Sequence, residues 1–71
     1  MKSFFVRHSM DILNASMQLG IDLALNVDYP EQFIINLPNE KMLLVPIKRW
    51  VVIQNDFVSI LTDEEYKNLY A

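Results

Sequence analysis

The chain has 71 residues, 52% of them hydrophobic, a formal net charge of −3 and no cysteine. That length sets an expectation of one small domain spanning 1–71, with a marginal core and much exposed surface. The missing thiols exclude disulfides, thiolate metal sites, iron–sulfur clusters and cysteine nucleophiles.

So small a core cannot hide this much apolar material, so part of it is expected to face a partner, most simply a second copy in a homodimer. No run approaches the roughly twenty apolar residues of a membrane span, and the apolar start is too short for a signal peptide. A soluble cytoplasmic protein with no membrane contact is expected. Asp11, Asp22, Asp28, Glu31 and Glu40 follow one another with no Lys or Arg between them. This is the reverse of the basic footprint that phosphates demand, and it argues against direct nucleic-acid binding.

Residues 4–19 read as a helix, with Val6, Met10, Leu13 and Met17 on one face, widened by Phe5, Ile12 and Leu19. Ser3 is the expected N-cap and Gly20 the left-handed residue that ends it. The stripe is expected to face the core, although its two methionines also suit an adaptable partner surface. After Gly20 the period becomes two: Ile21, Leu23, Leu25 and Val27 alternate with Asp22, Ala24, Asn26 and Asp28, which predicts a strand.

Tyr29-Pro30-Glu31 turns the chain into four short apolar runs: Phe33–Leu37, Met42–Ile47, Trp50–Gln54 and Phe57–Leu61. They are separated by Pro38-Asn39-Glu40, Lys48-Arg49 and Asn55-Asp56, the pattern of antiparallel hairpins. Pro46 cannot donate to a ladder, so its strand is expected at an edge or to end there. Thr62 and Glu65 fit a capping box that opens a short C-terminal helix, with Tyr66, Leu69 and Tyr70 on its packing face. The expected class is α+β: an N-terminal helix, a small antiparallel sheet of about five strands, and a short C-terminal helix.

Catalytic chemistry finds little support. His8 is the lone histidine, with only Asp11 near it in sequence, and two candidate ligands do not make a metal site. Four serines share that one base, and a single glycine permits no phosphate loop. Asp63, Glu64 and Glu65 are explained by helix capping. The reading is a non-enzyme without cofactor. Lys48-Arg49-Trp50 is the one basic and aromatic cluster, expected as a hairpin tip with Trp50 entering the core.

Gln18-Leu19-Gly20-Ile21-Asp22-Leu23 resembles the hexapeptide with which many proteins dock on the bacterial DNA sliding clamp. Gln18, Leu19 and Leu23 match that pattern and Ile21 fills its aliphatic position. The resemblance implies a glutamine amide fixed by hydrogen bonds and aliphatic side chains seated in an apolar pocket. A helix that ends at Gly20 and passes into a strand accounts for the same residues structurally. In size and charge the chain also looks like the compact host-takeover inhibitors made by bacteriophages.

The expected function is therefore that of a small acidic protein that binds and inhibits or modulates another protein. A replication component such as the sliding clamp is the named partner, met through Gln18, Leu19, Ile21, Asp22 and Leu23 with Asp28 and Glu31. A strand running into Thr62-Asp63-Glu64-Glu65-Tyr66 resembles a segment of some antitoxins, which gives a DNA-binding regulator as the alternative. A structural subunit of a larger assembly is the third.

Overall fold

A computed structural model describes residues 1–38 and 41–70. Six strands and two helices follow one another: β1 (Lys2–Val6), α1 (Ile12–Leu19), β2 (Asp22–Leu25), β3 (Gln32–Asn36), β4 (Met42–Pro46), β5 (Arg49–Gln54), β6 (Phe57–Leu61) and α2 (Asp63–Tyr70). A single 3₁₀ turn, Ser9–Asp11, leads into α1. The strands form two antiparallel three-stranded sheets, β1-β5-β6 and β2-β3-β4. The chain is α+β, but the expected N-terminal helix and single five-stranded sheet are not what it forms.

The first correction concerns residues 2–6. Val6 does fit a helical stripe with Met10, Leu13 and Met17, yet Phe4-Phe5-Val6 is an aromatic and β-branched run that favours a pleated, half-buried surface. It pairs with β5, Phe4 opposite Val51 and Phe5 opposite Trp50. Ser3, the expected cap, instead bonds the Tyr66 hydroxyl at 3.0 Å. The helix thus begins only at Ile12 and is rotated from the expected stripe: Ile12, Ala15 and Leu19 are buried, while Met10, Leu13 and Met17 are 83%, 72% and 73% exposed. A three- or four-residue spacing alone cannot say which face turns inward.

Other local signals act as expected. Gly20 takes the left-handed conformation (φ 71°) and its N–H donates to the Ser16 carbonyl, ending α1. Asn55 and Asp56 both have positive φ (52° and 68°), the type I′ geometry that joins β5 to β6. Asn39 and Glu40 of the expected β3–β4 turn lie outside the described residues. The strand expected over 21–28 is shorter, Asp22–Leu25, and leaves Val27 exposed.

Lys48-Arg49 is not a hairpin tip. Lys48 has a positive φ of 64° and donates its N–H to the Val6 carbonyl, so the chain leaves one sheet at Pro46 and enters the other at Arg49. The core lies between the facing sides of the two sheets and α1. Val6 and Val51 come from one sheet, Leu23, Phe33, Ile35 and Val45 from the other, and Ile12, Ala15 and Leu19 from the helix. Truncating a buried ring such as Phe33, fully enclosed here, typically costs about 3–5 kcal/mol.

The two sheets differ on their outer sides. On the β1-β5-β6 sheet α2 covers the part of the outer face around Trp50: Trp50 stacks on Tyr66 with ring centres 3.7 Å apart and planes 5° from parallel, while Phe57, on the same face, is 76% exposed. Val52, on that same side of β5, is buried. On the β2-β3-β4 sheet Ala24, Ile34 and Leu44 form a cross-strand row on the outer face, with Ala24 and Ile34 half-buried and Leu44 60% exposed.

Candidate functional site

The hexapeptide residues are brought together at the α1–β2 turn, but their aliphatic side chains point inward. Leu19 is 3% exposed and Leu23 8%, both members of the core, and Ile21 packs partly against it. The local reason is the cap at Gly20, which turns the chain so that Leu19 and Leu23 meet on the buried side. Ser16 reinforces the turn, its hydroxyl donating to the Ile21 carbonyl at 2.6 Å. Gln18 and Asp22 are exposed, and the Asp22 carboxylate accepts from the Asn36 amide at 3.1 Å. As folded, the segment offers a partner one amide and one carboxylate, not the two leucines.

The acidic residues do not converge. Asp22 opens β2, whereas Asp28 and Glu31 follow its far end; both are exposed, and the Glu31 carbonyl accepts the Ile47 N–H at 2.9 Å. Asp11 is occupied locally, its carboxylate accepting the backbone N–H groups of Arg7 and His8 at 3.0 and 3.2 Å. Among the described residues no three His, Asp or Glu side chains come together to hold a metal ion.

Lys48-Arg49-Trp50 is split by the crossover. Trp50 does not enter the central core; it lies under α2, one ring face taken by Tyr66 and its indole N–H donated to the Asp63 carboxylate at 3.0 Å. Lys67 pairs with the same carboxylate at 3.1 Å. The indole bond first, and then the ammonium, hold the Asp63 carboxyl below its ordinary range. Glu65 is likewise lowered, first by the Thr62 backbone N–H and then by the Thr62 hydroxyl bond. These groups fasten α2, and the shifts are accounted for by that role.

Among the concavities that the described residues form, two bear on these segments. The larger, about 610 Å³, opens between the ends of the two sheets, lined by Ile21, Asp22, Leu37, Ile53 and Val58 among others. The second, about 440 Å³, lies between α1 and β2 and is lined by Ser9, Met10, Ile12, Leu13, Leu23 and Leu25. Its outer wall continues into Met17, one helical turn beyond Leu13.

This second concavity belongs to an unusual surface. Residues 12–19 contain no charged side chain, so the outward face of α1 is Leu13, Asn14, Met17 and Gln18. A surface helix ordinarily carries its charges outward and its apolar stripe inward. Here the outward side is apolar as well, with exposed Leu25 across the groove. Sequence reasoning included Met10, Leu13 and Met17 but assigned them to the core; the absence of charge over residues 12–19 was the available signal. No described helix is long and apolar enough to cross a membrane. Set against known protein families, curated proteins and solved structures, the chain matches none.

Proposed function

We propose that this protein acts by binding another protein and modulating it, with the outward face of α1 and the groove beside Leu25 as the docking surface. The observation that supports this reading is the uncharged ridge of Met10, Leu13 and Met17, each more than two-thirds exposed. Apolar surface of this kind, contiguous and rimmed by Asn14 and Gln18, is the usual mark of an interaction site. Methionines add a side chain that adapts to different contours. An amphipathic helix laid along the groove, its apolar anchors between Leu13 and Leu25, is the occupant of matching chemistry.

A bacterial replication component, with the sliding clamp first, is the partner to assay. Docking through the hexapeptide itself would require Leu19 and Leu23 to leave the core, at about 2–5 kcal/mol each by analogy with large-to-small core changes. Contact through the α1 ridge, with Gln18 at its rim, has no such cost.

The experiment is a titration of purified clamp against wild type, a Leu13→Asp/Met17→Asp variant and a Gln18→Ala/Asp22→Ala variant. Binding abolished by the first pair and retained by the second supports the ridge. Binding lost only with the second pair returns the contact to the hexapeptide. Absence of clamp binding, together with DNA retention that Lys48→Ala/Arg49→Ala removes, would replace this reading with a DNA-binding regulator.

A further inference from the structure

Among the described residues, the edge of β4 is the strand edge against which neither helix makes a major contact. Helix α1 lies chiefly against β1 and β2, and α2 against β5 and β6, whereas the main neighbour of β4 is β3. The strand Met42-Leu43-Leu44-Val45-Pro46 carries no charge, and Met42, Leu43 and Leu44 are all exposed. Natural edge strands are normally blunted by charge, by proline or by a covering element. Only Pro46 serves that purpose here.

The direction of the unpaired backbone groups follows from two bonds. Leu37 N–H donates to the Lys41 carbonyl at 2.8 Å, and Ile47 N–H to the Glu31 carbonyl at 2.9 Å. Hydrogen-bonded pairs alternate along an antiparallel ladder, so Leu43 and Val45 also turn their amides toward β3. Met42, Leu44 and Pro46 therefore turn theirs outward. Proline, which has no N–H, sits at an outward position, where none is missed.

We propose that β4 pairs antiparallel with β4 of a second copy, joining two three-stranded sheets into one of six. The register that fits places Met42 opposite Leu44 of the second copy, with Leu43 against its own counterpart on the two-fold axis. Met42 and Leu44 then exchange both bonds at each of two sites, giving four N–H···O bonds, and Pro46 falls outside the pairing. A strand edge asks for a strand, and three features favour this one.

The pairing is isologous, so one register satisfies both copies at once. The meeting surface is uncharged, so the −3 on each chain is not concentrated where the copies touch. Finally, Lys41 comes onto the same sheet face as Glu31 of the second copy. Their Cα atoms lie about 12 Å apart in ideal sheet geometry, within reach of two long opposite charges. The contact is smaller than the roughly 800 Å² per partner of a standard stable interface, so the dimer is expected to dissociate at micromolar concentration. It uses a different surface from the α1 ridge and stands independently of it.

Hydrogen exchange on the full chain, from about 1 µM to about 1 mM beside sedimentation equilibrium, tests this across the dissociation range. Expected is a reversible dimer in which the Met42 and Leu44 amides gain at least about tenfold protection with concentration, while Leu43 and Val45 are protected throughout. Leu44→Pro removes one outward N–H and should give a folded monomer. Leu44→Ala keeps the backbone and should still dimerise. A wild type that stays monomeric throughout overturns the proposal. So does a dimer whose Met42 and Leu44 amides stay unprotected, or a Leu44→Pro variant that dimerises like wild type. The wild-type exchange pattern decides the matter even if the proline variant fails to fold.

Discussion

At the level of single residues, the attachment of α2 is concentrated in Trp50, Tyr66 and Asp63. A stacked pair of aromatic rings holds one side of the helix, and the indole-to-carboxylate bond fixes its first turn. Because the Asp63 and Glu65 carboxyls are held low, their contribution is fully present above the ordinary carboxylate range and is lost as pH falls through their lowered values. Acid titration followed by Trp50 fluorescence should therefore show α2 loosening below that range. Asp63→Asn, which cannot carry the charge, should flatten the transition. At Gly20 a Cβ would meet nothing closer than 3.9 Å, so Gly20→Ala suffers only the left-handed backbone. The expected loss is about 1–2 kcal/mol in denaturant unfolding, with the denaturant slope unchanged. Gly20, Thr62 with Glu65, and Asn55-Asp56 were all legible in the sequence because each acts on backbone within a few residues. Trp50 was not, since its stacking partner lies sixteen positions along and on another element.

Among the elements, the instructive one is β1. Phe4, Phe5 and Val6 satisfy a helical spacing with residues further on, but also alternate between two faces of a strand. The choice is made by β5, more than forty residues away, which no local pattern reveals. The same ambiguity rotated α1: its sequence supports two apolar sides, and only packing against β1 and β2 selects Ile12, Ala15 and Leu19. This yields a paired expectation. Leu13→Asp with Met17→Asp should change stability by no more than about 0.5 kcal/mol per substitution in chemical denaturation, as surface sites do. Ile12→Ala or Leu19→Ala should each cost about 2–5 kcal/mol. The reverse result would restore the original stripe as the core. The strand of Pro46, expected at an edge or to end there, does both, because a missing donor is a property of the residue itself.

Across the whole molecule the two sheets are unequally protected. One carries α2 over Trp50 and Val52 on its outer side; the other has the row Ala24, Ile34 and Leu44 there, half-buried at the first two and 60% exposed at Leu44. Removing residues 62–70 would make the first sheet resemble the second, exposing Trp50 and Val52. The expected readouts are a red shift of Trp50 emission, lower thermal stability and stronger binding of an apolar dye. Unchanged emission would mean that α2 does not shield the indole.

The crossover at Lys48 has a consequence in time. Strands β2, β3 and β4 are joined by short connections, as are β5, β6 and α2, so each set can assemble from neighbours. Strand β1 is different: it ends at Val6, yet its pairing partner begins at Arg49. Closing so long a loop carries an entropic penalty before any contact repays it, and long-range pairing slows folding. Phe4, Phe5 and Val6 thus stay unpaired until the chain has been made as far as β5, more than forty residues later.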